Sequence, residues 1–277
     1  MIGIIGLGYV GLITGLGMCS KGQQIIGCDI DEKKVSLLKK GVPTIHETGL
    51  NVCLESAIEK EQIKFTTEIS DVITCADLIF VTVGTPPTAT GTADLQYVYQ
   101  AIREIGKRLN NRKTVVIKST VPVGTCFNAR RIIKHELAER NVSVECEVIS
   151  NPEFLREGTA LYDFMFPQRI VIGVDSDSAR KWMVPFYIEI YGKEIVEKLI
   201  CTNSKTAELA KYACNSFLAT KISFINEIAN YCDVIGANIM DIKTIMGCDQ
   251  RIGAAHLQAG PGFGGSCLPK DLEALIK

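Results

Sequence analysis

Met1 to Asp29 reads MIGIIGLGYVGLITGLGMCSKGQQIIGCD, and this stretch decides the fold. Met1 to Ile5 is a short apolar run with the character of a buried strand. Gly6, Gly8 and Gly11 follow at once in GLGYVG, and an apolar helical stretch continues to about Ser20. Gln24 to Ile30 reads as a second strand that reaches Asp29. Glycines between a strand and a helix each have a physical task. The first makes the turn, the second lets backbone N–H groups approach a pyrophosphate, and the third packs helix on strand. The helix N-terminus then faces the anion, and Tyr9 and Val10, inside the motif, join the cofactor set. A carboxylate about twenty residues beyond such glycines accepts hydrogen bonds from the adenosine ribose and repels a 2′-phosphate, so Asp29 predicts NAD rather than NADP. The bland alternative is a domain of the same shape that binds nothing. Lys33 and Lys34 open the next helix, either near the adenosine end (Lys34 above all) or as a solvated face.

The alternation continues along the chain, predicting an α/β fold: an N-terminal doubly wound, Rossmann-like sheet over about residues 1–200. Leu78 to Val83 is a strand leading into GTPPT, Asp94 to Leu109 an amphipathic helix, and Thr114 to Lys118 a strand ending in STVPVGT. Ligands of such sheets lie outside the carboxyl ends of the strands, which points to Thr85, Ser119 and Thr120. Helix capping is the other role open to Thr85 and Thr120. Val144 to Ser150 is a strand running into NPEFLREGTA, where Glu153 and Glu157 would share one side if the segment is helical. A buried carboxylate there can activate water, whereas an exposed acidic face is the plain alternative. Arg169 to Val174 reads as a strand, Ser176 to Tyr191 as a helix, and a last short strand ends near Cys201.

Residues 201–277 read as a mainly helical domain. From Ser204 to about Ile235 there is no glycine or proline, and apolar residues recur at helical spacing, so one helix of about 48 Å is expected as a spine and homodimer surface. Lys211 and Asn215 are four apart on one face. Together they could hold a developing oxyanion, or Lys211 could be solvated and Asn215 merely tolerated. Gly260 to Asp271, GPGFGGSCLPKD, sets Cys267 behind Gly262, Gly264 and Gly265, with Lys270 and Asp271 one turn on at the start of a possible short helix. A nearby cation would favour the nucleophilic thiolate. A small residue in a tight loop is the competing reading.

Composition limits the alternatives. The 277 residues carry a formal net charge of −1 with scattered Lys and Arg, which gives no basic face for nucleic acid or a membrane surface. Eleven widely spaced cysteines without a CxxC pair argue against a disulfide framework or a zinc site, so a reducing cytoplasm and no metal are expected. No basic leader or uncharged apolar run long enough to span a bilayer is apparent.

Read together, GLGYVG with Asp29, KSTVPVGT, NPEFLREGTA, AELAKYACNSFLATKISFINE, DQRIG and GPGFGGSCLPKD resemble the nucleotide-sugar 6-dehydrogenases, the UDP-glucose/GDP-mannose dehydrogenase family, over essentially the whole chain. The resemblance implies oxidation of a sugar C6 alcohol to a carboxylate with two NAD, UDP-glucose being favoured over GDP-mannose as the nucleotide-sugar substrate. It implies that Cys267 is the nucleophile and that Lys211 and Asn215 hold the reacting oxygen. Glu153 is then the base for thioester hydrolysis, with Asp271 and Thr120 ordering a water. Glu157 falls beside the nicotinamide, and Arg251, Gly264, Lys270, Phe154 and Leu155 fall at the substrate. GSCLPKD fits the N-acetyl-sugar members poorly, since they resemble GxxCxPVDP there. The resemblance also implies a further C-terminal nucleotide-sugar domain, which is expected to be missing after Lys277. A single-step β-hydroxyacid-type dehydrogenase and a non-catalytic NAD-binding or dimerisation module are the competing functions.

Overall fold

The computed structural model describes residues 1–276. Two compact units divide it: Met1–Thr85 with Asp94–Leu209, and Pro86–Ala93 with the chain from Ala210 onward. The first unit runs β1 (Ile2–Ile5), α1 (Tyr9–Ser20), β2 (Ile25–Cys28), α2 (Glu32–Lys39), α3 (Leu50–Glu59), β3 (Ile63–Thr66), α4 (Ile69–Cys75) and β4 (Leu78–Val81). It continues through α5 (Gln96–Arg108), β5 (Lys113–Ile117), α6 (Thr125–Glu139), β6 (Cys146–Ser150), α7 (Ala160–Met165), β7 (Ile170–Gly173), α8 (Asp177–Tyr191) and β8 (Leu199–Thr202).

These strands form one sheet in the order β3-β2-β1-β4-β5-β6-β7-β8. β1 pairs in parallel with both β2 and β4, Ile4 lying opposite Gly27 and Phe80. Strand order therefore reverses between β1 and β4, at the end where GLGYVG and the loop after β4 emerge, and such switch points are where open α/β sheets hold ligands. The strands are short apolar runs because helices cover both faces. Ile4, Leu12, Leu16 and Phe80 pack on one side and Ile79, Val98, Ile102 and Ile133 on the other. Burying each such side chain contributes about 1.5–3 kcal/mol.

β7 is antiparallel to β6, with Ser150 opposite Gly173, and β8 follows β7 in parallel. A parallel return needs a crossover of a dozen or more residues, usually helical, back to the other end of the sheet. The link from β6 to β7, residues 151–169, is long enough for such a crossover but holds only the six-residue α7, and the chain re-enters the sheet from the end it left.

α9 (Ser204–Ile235) is one uninterrupted helix of 32 residues, and the unit boundary falls inside it. The second unit adds α10 (Ile239–Cys248) and α11 (Leu268–Ile276). The Asn238 side chain caps α10 by accepting from Met240 N–H at 2.9 Å. The Lys221 ammonium donates to the Ile252 carbonyl at 3.0 Å, and Asn226 accepts the Gly260 N–H at 3.0 Å, so α9 holds the start and the middle of the loop between α10 and α11. Among the described residues, no helix is long and apolar enough to cross a membrane.

Candidate active site

The three glycines of GLGYVG have three different surroundings. Gly6 has φ +96°, and a Cβ on it would meet the backbone of Thr82 and Val83 at 2.8–2.9 Å. A Cβ on Gly11 would lie 1.9 Å from the Gly6 carbonyl oxygen and 2.6 Å from Thr82 Oγ1, so α1 can approach β1 only without a side chain there. Gly8 caps α1 and has no atom within 4 Å of its Cβ position. The open space beside it adjoins the first turn of α1, whose N–H groups have no partner within the helix. Asp29, directly after β2 and 8% exposed, accepts the Leu7 N–H at 2.8 Å and so braces the glycine turn. The same carboxylate oxygen accepts the Lys34 ammonium at 2.8 Å, which takes Lys34 out of the solvated reading while Lys33 stays exposed.

The loops after β4 and β5 are fastened together by hydroxyls. Thr85 Oγ1 donates to the Thr120 carbonyl at 2.9 Å and Ser119 Oγ to the Val83 carbonyl at 2.6 Å. Neither Thr85 nor Thr120 caps a helix, since α6 begins behind Gly124. The donors at that helix start are taken by Glu208, 2% exposed, which accepts the Gly124 N–H at 2.6 Å and the Cys126 N–H at 2.8 Å. Burial raises the Glu208 carboxyl above its ordinary range, against the opposing pull of those two bonds. In the sequence Glu208 reads as one charge on a helix face, and no local signal marks it as buried.

The segment NPEFLREGTA is not helical over residues 151–156, so Glu153 and Glu157 do not share a helix face. Asn151 accounts for this. Its N–H donates to the Ile117 carbonyl at 2.9 Å, its amide to the Val171 carbonyl at 2.8 Å, and its Oδ1 accepts Lys118 at 3.1 Å and Tyr187 at 2.6 Å. Pro152 disfavours helical backbone at the residue before it as well. Glu153 is turned inward, 9% exposed, and accepts the Leu155 N–H at 2.5 Å, whereas Glu157 lies exposed in a turn. Arg156 pairs with Asp163, its Nε at 2.9 Å. Leu155 packs half-buried against the core, and the Arg169 guanidinium stands 3.9 Å over the Phe154 ring.

In the second unit Lys211, Asn215 and Asp271 are all buried, at 5%, 7% and 1% exposure. The solvated reading of Lys211 is therefore wrong. Asn215 donates to Asp271 Oδ2 at 2.6 Å and Lys270 to Asp271 Oδ1 at 2.6 Å. Asp271 N–H donates to the Cys267 carbonyl at 2.9 Å in the first turn of α11, so the cysteine does open a short helix. The cation three residues beyond the thiol is held by Asp271, and Cys267 Sγ lies exposed, 3.6 Å from Ser266 Oγ. Gly262 and Gly265 take left-handed backbone at φ +109° and +81°, and Gly264 has nothing within 4 Å of its Cβ position. Arg251 is exposed and paired with Asp249, its Nε at 3.0 Å.

Residues 1–191 match the NAD binding domain of the UDP-glucose/GDP-mannose dehydrogenase family, and residues 205–277 match its central domain. The chain belongs to this family. It is 47% identical over 279 residues to the UDP-glucose 6-dehydrogenase of Rhizobium meliloti (strain 1021), covering 100% of this chain and 62% of the relative. A UDP-glucose dehydrogenase structure from the hyperthermophilic archaeon Pyrobaculum islandicum is similar at TM-score 0.90 and 39% identity, over 99% of this chain and 62% of that one. A GDP-mannose dehydrogenase from Pseudomonas aeruginosa follows at TM-score 0.82 and 33% identity, over 99% and 63%. The chain thus spans about three fifths of the length of the relatives it matches. Its first unit carries an NAD-binding domain, and the residues fit that cofactor: an open space at Gly8 beside unpartnered helix N–H groups suits a pyrophosphate, and Asp29 stands at the strand end where a ribose is held.

Proposed function

We propose that this chain is the NAD-binding and central part of a dehydrogenase that oxidises the C6 alcohol of a nucleotide sugar twice, converting UDP-glucose to UDP-glucuronate. The observation that carries the reading is the buried pair Asn215–Asp271, joined by the half-buried Lys270, directly behind an exposed Cys267 at the head of α11. A single alcohol oxidation needs no thiol there. NAD, held by GLGYVG and Asp29 with Thr85, Ser119 and Glu157, supplies a hydride acceptor when bound. Lys211 and Asn215 hold the reacting oxygen as it gains charge. The C6 alcohol would become an aldehyde by losing its hydroxyl proton to solvent and a hydride to that acceptor. Cys267 Sγ bonds to the aldehyde's carbonyl carbon while the oxygen takes up a proton, giving a thiohemiacetal, and loss of that hydroxyl proton to solvent with a second hydride to the acceptor would leave a thioester. Glu153 takes a proton from a water ordered by Asp271 and Thr120. The hydroxide adds to the acyl carbon, the C–S bond breaks, and the thiolate returns with the carboxylate released. Phe154, Leu155, Arg251, Gly264 and Lys270 contact the sugar nucleotide.

The setting is cytoplasmic, without nucleic acid or membrane partners. Burial pushes the Cys19 and Cys28 thiols up to about 12, so they serve as small apolar packing groups. A homodimer through α9 is part of the proposal, supported by exposed Phe217, Phe224 and Tyr231, seven residues apart along the helix. NADH formation from UDP-glucose and GDP-mannose, counted per sugar consumed, tests the function. Two NADH from UDP-glucose, lost in Cys267→Ser, is expected. One NADH per sugar, or a Cys267→Ser variant still producing two, removes the thioester route.

A further inference from the structure

Glu47 is a carboxylate that no step above uses, and it is buried at 4% exposure in the segment between α2 and α3. Three donors from two distant places meet on it. Oε2 accepts the Tyr9 hydroxyl and the Gly158 N–H, the latter at 3.0 Å, and Oε1 accepts the Ala160 N–H at 3.0 Å. The Tyr9 oxygen itself accepts the Gly158 N–H at 3.3 Å, across 149 residues of sequence. Tyr9 opens α1 directly behind Gly8, and Gly158 and Ala160 close the loop that carries Glu153 and Glu157. Burial, with the bond to Glu47, raises the Tyr9 phenol far above its ordinary range, so the hydroxyl remains a donor. A buried carboxylate is costly unless its lone pairs are used, and here they are used to join two cofactor-side segments.

We infer that Glu47 is a positioning residue that locks residues 151–159 against the glycine turn, so that NAD meets both in one preset arrangement. This rests on the proposed role of that loop at the dinucleotide, but NAD binding can be tested without sugar oxidation. Glutamine has nearly the same shape as glutamate but one acceptor oxygen for three donors, and its NH2 would face the N–H of Gly158 or Ala160.

The test uses NAD titration calorimetry and amide hydrogen exchange on the purified chain with Glu47→Gln, Tyr9→Phe and the double variant. Each single variant is expected to weaken NAD about tenfold. The double is expected to lose little more than Glu47→Gln alone, because the two act through one contact. Exchange at Gly158 and Ala160 should quicken in Glu47→Gln. Glu47→Gln binding NAD within about twofold of the parent, or a double variant losing the full product of the two factors, overturns the inference. Lys113→Met, which removes a buried ammonium bond to the Ala76 carbonyl at 2.7 Å, supplies a comparison of lowered stability. If it weakens NAD as much as Glu47→Gln does, the effect is general destabilisation and the inference falls.

Discussion

Glu208→Gln isolates what holds the start of α9 to the start of α6. The carboxylate accepts the Gly124 N–H on one oxygen and the Cys126 N–H on the other, at 2% exposure. Glutamine keeps one acceptor and turns an NH2 against the remaining N–H, leaving a buried donor unsatisfied at about 1–3 kcal/mol. Loss of the negative charge at a helix N-terminus adds about 0.3–1 kcal/mol, while the relieved cost of burying that charge offsets part of the total. A net penalty of about 2 kcal/mol lowers the melting temperature of a unit this size by about 4–8 °C. The pH dependence has a definite sign. Burial raises the folded carboxyl above its unfolded value, so the folded state binds this proton more readily and the group's contribution falls as pH rises through the folded pKa. The gap between parent and Glu208→Gln should therefore widen as pH drops from about 8 toward about 5, and thermal melts of both proteins at the two pH values measure it. A gap under about 1 °C at both, or one that narrows on acidification, refutes the reasoning.

Gly8→Ala and Gly11→Ala should separate binding from folding. Gly8→Ala places its methyl in open space and is expected to leave the melting temperature within about 2 °C while weakening NAD at least about tenfold by calorimetry. Gly11→Ala drives a methyl into the Gly6 carbonyl oxygen and should destabilise the first unit by about 1–3 kcal/mol or more in denaturant unfolding. Asp29→Asn removes the ion pair to Lys34 and the charge that repels a 2′-phosphate, so the ratio of NAD to NADP affinity should fall, read as two dissociation constants. Asp271→Asn takes a charge from beneath both Asn215 and Lys270, and a loss of about 2–4 kcal/mol in unfolding free energy is expected, monitored on α9 by hydrogen exchange.

What the sequence made legible was what a local pattern can encode. GLGYVG needs only a strand before it and a helix after it, and Gly6 and Gly11 sit where no Cβ fits while Gly8 leaves open space at the helix start. α9 has the bounds expected of it, because a run without glycine or proline carrying apolar residues at helical spacing leaves the backbone one economical choice. β3 escaped notice because IKFT is a four-residue strand, too short for its apolar–polar alternation to stand out. The reversal of β7 was hidden as well, because the link before it is long enough for either direction and an apolar strand reads the same either way.

The carboxylates show the same limit at the level of chemistry. Glu153 and Glu157 lie four apart, and the tertiary hold on Asn151, through β5 and β7, together with Pro152 prevents the helix that would have aligned them. Glu47 and Glu208 carry no local signal, since their partners lie 111 and 84 residues away at Gly158 and Gly124. All of these acids are spelled alike in sequence, and their environments separate them. Asp29 takes the Leu7 N–H to brace the glycine turn, Glu47 joins the Tyr9 hydroxyl to the N–H groups of Gly158 and Ala160, Asp271 gathers an amide and an ammonium, and Glu153 faces inward and accepts the Leu155 N–H. A carboxylate whose acceptors are filled by backbone donors is fixed in place and suited to positioning. Moving a proton instead requires an oxygen that a water can reach, so the division between bracing acids and working acids is settled by where the surrounding N–H groups point.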